Sequence, residues 1–371
     1  MPEAGAMSTT AYDRQIRGSK LGAKKFKAQI ENDLDGSTGG IAWWSASPLW
    51  PTHRAELSHY VVSIVGAVST NLDEAAVHLH QYRDRAGAEN VFQTQRLRES
   101  NGRVPDMRRR TEPERVREVA VRAEQAAFFR SIGSVLDTLA GVVIATGALK
   151  MDLLKADFGR LRVGSDSPSY PRIPGKADAA LRRALAEDGT AGAGAQESLL
   201  RSVQAAVTHA GPVEWMQWVL DTRNHFVHRS RWMDVNVLDW PDRRKLPVWV
   251  RPLPRSPSAG EGTSINSANR MDDSYLTEDA ETTMSGVLMS VDALTKAIIE
   301  RCTVLWSKRR NDPFLLLQPG HQWHQQTPGP RFPGYAPSSA LAAFRRADAI
   351  LVNPTDGARF AALAQSKRRL V

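Results

Sequence analysis

Apolar positions recur three and four apart from residue 52 to about 85, at Leu57, Val61, Ile64, Val65, Val68 and Leu72, which predicts an amphipathic helix. A polar stretch follows. A second helical pattern then opens where Thr111 and Glu114 form a capping box around Glu112 and Pro113, and runs to about residue 161. Gly133, Gly141 and Gly147 are the positions where it would break or bend. A short helix is predicted over 196–209. Pro212 then stands at the first position of a helix running to about residue 232. The alternation in 235–240 and 246–254 reads as two short strands in a hairpin. Thr277 is predicted to cap a last long helix with an acidic first turn, an inner face of Val287, Leu288, Val291, Leu294, Ile298 and Leu305, and a basic end in 307–311.

The remaining segments punctuate this pattern. Residues 1–50 read as a flexible basic arm, with Trp43, Trp44 and Trp50 docking on the core to pin it. Residues 160–195 read as an exposed insertion holding one short basic helix around 179–186, and 233–276 as the hairpin with its loop. Residues 311–371 form a C-terminal extension. The predicted fold is mainly α: a bundle of four or five helices over 51–310, with a small β-hairpin and irregular N- and C-terminal extensions.

Composition narrows the partners. The 371 residues are 42% hydrophobic and 24% charged, which are globular values, and the formal net charge is +9. A sequence pI near 9.8 favours acidic partners, nucleic acid before an anionic membrane surface. Cys302 is the single cysteine, so no disulfide forms within the chain, in keeping with a reducing cytoplasm. It sits among apolar residues at helical spacing and reads as a small buried hydrophobe. The N-terminal residues hold no apolar signal core, and the longest apolar run, 138–149, is too short to cross a bilayer. The expectation is a cytoplasmic protein with no membrane association.

One feature breaks the helical pattern. Within DTRNHFVHRS (221–230), at about 100° per residue, Met216, Val219, Leu220, Phe226 and Val227 all fall within about 60° of Arg223. The wheel therefore centres an arginine in an apolar stripe. Asn224 and His228 lie together on its flank, one turn apart, and His225 lies on the opposite face. A guanidinium there is costly without a partner. Three readings are open: an ion pair with a buried carboxylate, for which Asp137 is the candidate because it too interrupts an apolar pattern; snorkelling of the side chain to water; or a pocket that takes an anion such as phosphate.

The residues Arg223, Asn224 and His228 form Arg-Asn-x-x-x-His, and this stretch resembles the signature of HEPN domains (higher eukaryote and prokaryote nucleotide-binding domains). Arg54 to His59 has the arginine–histidine spacing as well, but without the asparagine. The resemblance covers roughly half the chain. It implies a helical bundle carrying the motif late in the chain, and for many members a metal-independent endoribonuclease acting as a toxin or antiviral effector. It also implies a homodimer that brings two motifs to one cleft, RNA as substrate, a possible antitoxin or other protein partner, and no cofactor. His228 is then the general acid or base, Arg223 the phosphate clamp and Asn224 an orienting residue, with Asp137 and His225 in support. Cleavage of that kind leaves a 2′,3′-cyclic phosphate. The alternative is a bundle of the same type without catalysis, serving as a protein or nucleic-acid interaction module.

Other constellations carry less. His225 and His228 lack a third metal ligand nearby. His321 and His324 fall in a proline-rich loop, and His78 and His80 straddle a solvated helix face. The basic runs 108–110 and 308–310 read as solvated surface that would track an RNA backbone if they flank the cleft. No phosphate-binding glycine loop of the Walker type and no serine nucleophile elbow is present.

Overall fold

The computed structural model describes residues 9–34, 51–101, 111–161, 181, 183–186, 189–228, 235–240, 242, 245–258, 271–312, 315–316 and 332–335. Among these, six α-helices dominate: α1 (Thr9–Leu34), α2 (Pro51–Glu99), α3 (Glu112–Thr146), α4 (Ala191–Ala210), α5 (Trp215–His228) and α6 (Ala280–Asn311). Helices α1, α2, α3 and α6 close a ring, each packed on the next, around one apolar core. Helix α4 lies against α6, and α5 lies against α3.

Over Thr9–Leu34 the first helix replaces the flexible arm expected there; the rest of 1–50 lies outside the described residues. Ile16, Ala23, Phe26 and Ile30 are fully buried on one face of α1, while Arg17, Lys24 and Lys25 stay in water. With about one large apolar residue per turn among lysines, the segment looks disordered in sequence, yet that stripe suffices once α2 and α6 cover it. Polar anchors fix its register. The Trp306 indole donates to Asp33 at 2.7 Å, Arg310 pairs with the other oxygen of Asp33, and Lys20 reaches Asp73 at 2.6 Å. Trp43, Trp44 and Trp50 lie outside the described residues.

Helix α2 continues well past residue 85, because its inner face changes from apolar side chains to charges paired with α3. Glu124 takes His78 at 2.9 Å and Arg85 at 3.1 Å. Arg117 reaches Glu89 at 3.4 Å and lies 4.0 Å over the Phe92 ring, and Arg96 meets Glu114 at 2.8 Å. His78 therefore faces α3 rather than solvent; His80 is half-buried and lies 3.4 Å from Asp84 one turn on. The capping box is present. The Thr111 N–H donates to the Glu114 carboxylate at 2.5 Å, and this bond is the main cause holding Glu114 below its usual pKa.

Helix α3 stops at Thr146 with Gly147 as its C-cap, earlier than predicted, and two short 3-10 turns follow, Leu153–Lys155 and Phe158–Arg160. Gly133 and Gly141 do not break it: they are crossing points. A Cβ built on Gly141 would stand 2.0 Å from Cδ1 of Ile64 on α2. Gly141→Ala is therefore expected to force Ile64 out of place and cost about 1–3 kcal/mol in urea unfolding. Adding Ile64→Val, which removes the clashing methyl, should recover part of that loss; no recovery would mean that the two helices do not cross there. Helix α3 is long and apolar enough to cross a membrane, but 72% of its apolar window is buried inside the protein.

The hairpin forms as predicted, Val237–Asp239 (β1) pairing antiparallel with Val248–Val250 (β2). The strand expected over 246–254 is split: its last part, Pro252–Pro254 (β3), leaves the hairpin and pairs antiparallel with Tyr275–Asp279 (β4), a strand the sequence pattern does not predict. It also moves a cap. Thr277 lies inside β4, and Asp279 caps α6 by accepting from the Glu281 N–H at 2.8 Å. Pro212 sits in the turn before α5, which begins at Trp215. Helix α4 starts at Ala191 with Thr190 as its cap, so the predicted insertion gives up its last residues to a helix.

Candidate functional site

Helix α5 is fixed on three sides. The Trp215 indole donates to the Val207 carbonyl at 2.9 Å, and the Trp218 indole to the Pro254 carbonyl at 3.0 Å. Phe129 of α3 stacks on Phe226 at 5.5 Å and meets Trp218 edge-on at 5.8 Å. The buried set is Trp215, Met216, Val219, Thr222 and His225. On the helical wheel its centre lies about 70–80° from Arg223. Arg223 thus stands at the margin of the buried face, not at its centre.

That shift corrects the placement of His225. It is not on an outer face but buried, 6% exposed and edge-on to Phe226 at 5.8 Å, so it is withdrawn from any surface site on α5. The two tryptophans widen the buried stripe beyond what the aliphatic residues alone predict. Gln217, Asp221 and Asn224 remain half-buried on the other side. His228 is the last residue of α5, one turn beyond Asn224 on the backbone; its side chain lies outside the described residues, as do that of Val227 and those of Arg54 and His59. His321 and His324 also lie outside them.

Arg223 meets the predicted carboxylate. Its guanidinium donates to Asp137 at 2.8 Å, with the two side chains 31% and 29% exposed. The route is set by Gly133, one turn before Asp137 on α3. A Cβ there would lie 2.4 Å from Nε and 2.6 Å from Cδ of Arg223, so the arginine stem crosses α3 where a side chain is missing. Asp137 also accepts from the backbone of Phe158 and lies near Asp157, which caps the following 3-10 turn through the Gly159 N–H at 2.8 Å. Burial raises the pKa of Asp137 above the usual carboxylate value; Arg223 pulls it down, and Asp157 adds to the rise.

Sequence reasoning missed the roles of Gly133 and Asp157. A glycine four residues before an aspartate on a buried helix was the available signal for Gly133. Gly133→Ala is expected to push Arg223 off Asp137 and raise the Asp137 pKa further, read by carboxyl-carbon NMR. The stability effect follows by linkage. Because the folded pKa stands above the unfolded one, Asp137 adds stability as pH falls through the folded pKa and withdraws it as pH rises. The variant should steepen that slope. An unchanged titration would mean that Arg223 does not govern Asp137.

Elsewhere the chemistry is quiet. Cys302 is buried and its thiol is pushed up to about 12 by burial, which suits packing and not nucleophilic attack. Arg309, in the predicted solvated basic run, is buried instead and donates to the carbonyls of Ala145 at 3.1 Å and Thr146 at 2.7 Å. Among the described residues no three His, Cys, Asp or Glu side chains gather as a metal-binding group. No protein-family model, no curated protein and no solved structure matches the chain.

Proposed function

We propose that the chain is a metal-independent endoribonuclease of HEPN type, acting as a homodimer in which two α5 helices share one cleft. The observation that carries this reading is the setting of Arg223. It is neither sealed in the core nor free in solvent, but aimed by Gly133 and Asp137 and open to solvent on one side. A guanidinium oriented in this way can exchange part of its bond to Asp137 for two phosphate oxygens. Asn224 stands half-buried next to it, with His228 one turn further along. The net charge of +9 supports an RNA partner.

The reaction this set would run is a transesterification. A histidine takes the proton of the 2′-hydroxyl, whose oxygen attacks the adjacent phosphorus. Arg223 stabilises the charge on the phosphoryl oxygens. The 5′-oxygen leaves with a proton from an acid, and a 2′,3′-cyclic phosphate remains. Of the two histidines of α5, His225 is buried, so one chain offers His228 and a second copy completes the acid–base pair.

The Arg223–Asp137 pair also favours a second reading, a bundle without catalysis in which the pair only joins α5 to α3. An RNA cleavage assay in EDTA with analysis of the product ends separates them. Cleavage to cyclic phosphate ends by the wild type, lost in a folded Arg223→Ala protein, is the expected result. A folded dimer that cuts no RNA would leave the interaction module.

A further inference from the structure

We propose that the outer end of the α2–α3 pair, residues 86–99 with 112–124, is an acid-released arm. It opens as a unit, away from the rest of the bundle, when the three carboxylates sealed inside it take up protons. The change of interface along the pair carries this inference. The apolar core ends at Ala86 on α2 and at Val121 on α3. Further out, among the described residues, Leu97 is the one buried apolar side chain of α2, and it stands apart from that core. No apolar residue of α3 before Val121 is buried. Glu89 on α2 and Glu114 and Glu124 on α3 are buried there instead.

Each carboxylate joins the two helices through a part-exposed cation. Glu124 holds His78 and Arg85 of α2, and Glu114 holds Arg96 of α2. Glu89 holds Arg117 of α3 and accepts from the Gln93 amide at 2.6 Å. Of the other charges on α3, Arg115 pairs with Glu112 and Arg122 with Glu118 along their own helix. The β1–β2 hairpin touches this end through neutral groups, the Trp249 indole donating to Thr94 at 3.0 Å. Protonation removes the negative charge at each rung. It leaves Arg85, Arg96, Arg117 and a charged His78 gathered along a seam with little apolar area to hold it. Histidines charge at higher pH than carboxylates, so His78 first strengthens its bond to Glu124, and release falls in the carboxylate range. The sign agrees at Glu114. The Thr111 N–H chiefly holds its pKa down, so its stabilisation is present above the unfolded value and is lost as pH falls through the folded one.

Hydrogen exchange of the full chain, read by mass spectrometry and referred to the unstructured rate at each pH, tests the arm. At pH 7, Glu89→Gln keeps the size of the side chain and removes its charge. It is expected to speed exchange in 86–99 and 112–122 about tenfold or more and to leave 62–79 and 128–144 at the wild-type rate. Between pH 7 and about pH 4 the wild type should lose protection in the same two segments before the core does. Residues 246–250 should follow them, because the hairpin rests on Thr94. If acid leaves the two segments as protected as the core, or if protection falls evenly over the bundle, the arm is not a separate acid-released unit. If Glu89→Gln exchanges like the wild type, the buried carboxylates do not hold the arm closed.

Discussion

Arg309→Ala is expected to destabilise the bundle by about 3–5 kcal/mol, more than any other single substitution considered above. The residue is 3% exposed. It sits at the C-terminal end of α3, where the last carbonyls of a helix lack partners and the helix dipole is negative. Its Nη1 donates to Ala145 and Thr146, and its plane lies 5.4 Å over the Trp306 ring. Burial pushes the pKa down to about 10, which still leaves the group charged at neutral pH. Truncation takes the guanidinium donor from the Thr146 carbonyl, leaves the Ala145 carbonyl the Ala148 N–H at 3.3 Å, opens a cavity beside Trp306, and removes a link between the end of α3 and α6. Arg309→Met keeps most of the stem and loses only the donors, so it should cost about 1–3 kcal/mol. Denaturant midpoints of both variants test this account. Equal losses would put the energy in the hydrogen bonds; a loss below 1 kcal/mol in both would mean that water replaces the guanidinium at no cost.

Arg309 also shows where sequence and structure part. In sequence it belongs to a basic run at a helix end, and such runs are usually solvated. Nothing local distinguishes it from Lys308; only the arrival of the α3 C-terminus does. The same holds for α1, whose apolar stripe is too sparse to predict a helix but dense enough once two neighbours cover it. The long patterns were legible because they are periodic: the inner faces of α2, α3 and α6, the capping box at Thr111 and the β1–β2 hairpin. The end of α2 was not legible, because its inner face is built from charges whose partners lie on α3.

The candidate site was legible in its chemistry and less so in its geometry. Asp137 and Arg223 each interrupt an apolar pattern, and two such interruptions predict each other, since burying either charge alone is costly. The aliphatic residues alone centre the stripe on Arg223; Trp215 and Trp218 displace it. Their bonds to Val207 and Pro254 roll the buried face toward His225. In sequence Gly133 reads as a place to break or bend the helix, but a glycine inside a well-packed helix equally marks the passage of another side chain.

His228→Ala is expected to lower RNA cleavage by about 10²–10⁴-fold, the usual contribution of a positioned general acid or base, while the bundle stays folded. His228 closes α5, two residues beyond Phe226, and neither the Phe129 contacts of Trp218 and Phe226 nor the Arg223–Asp137 pair involves it, so the substitution is expected to leave them in place. A structural role would give a different result: lower stability and no change in rate per folded molecule. The pH dependence adds a second readout. A bell-shaped profile in the wild type, with one limb missing in His228→Ala, would assign that limb to the imidazole. The dimer is tested by mixing. If one cleft takes its arginine and histidine from two chains, an unfolded and refolded mixture of His228→Ala and Arg223→Ala regains activity that neither variant has alone. If each chain carries a complete site, the mixture stays as inactive as its parts, and the proposal of a shared cleft is withdrawn while the role of His228 stands.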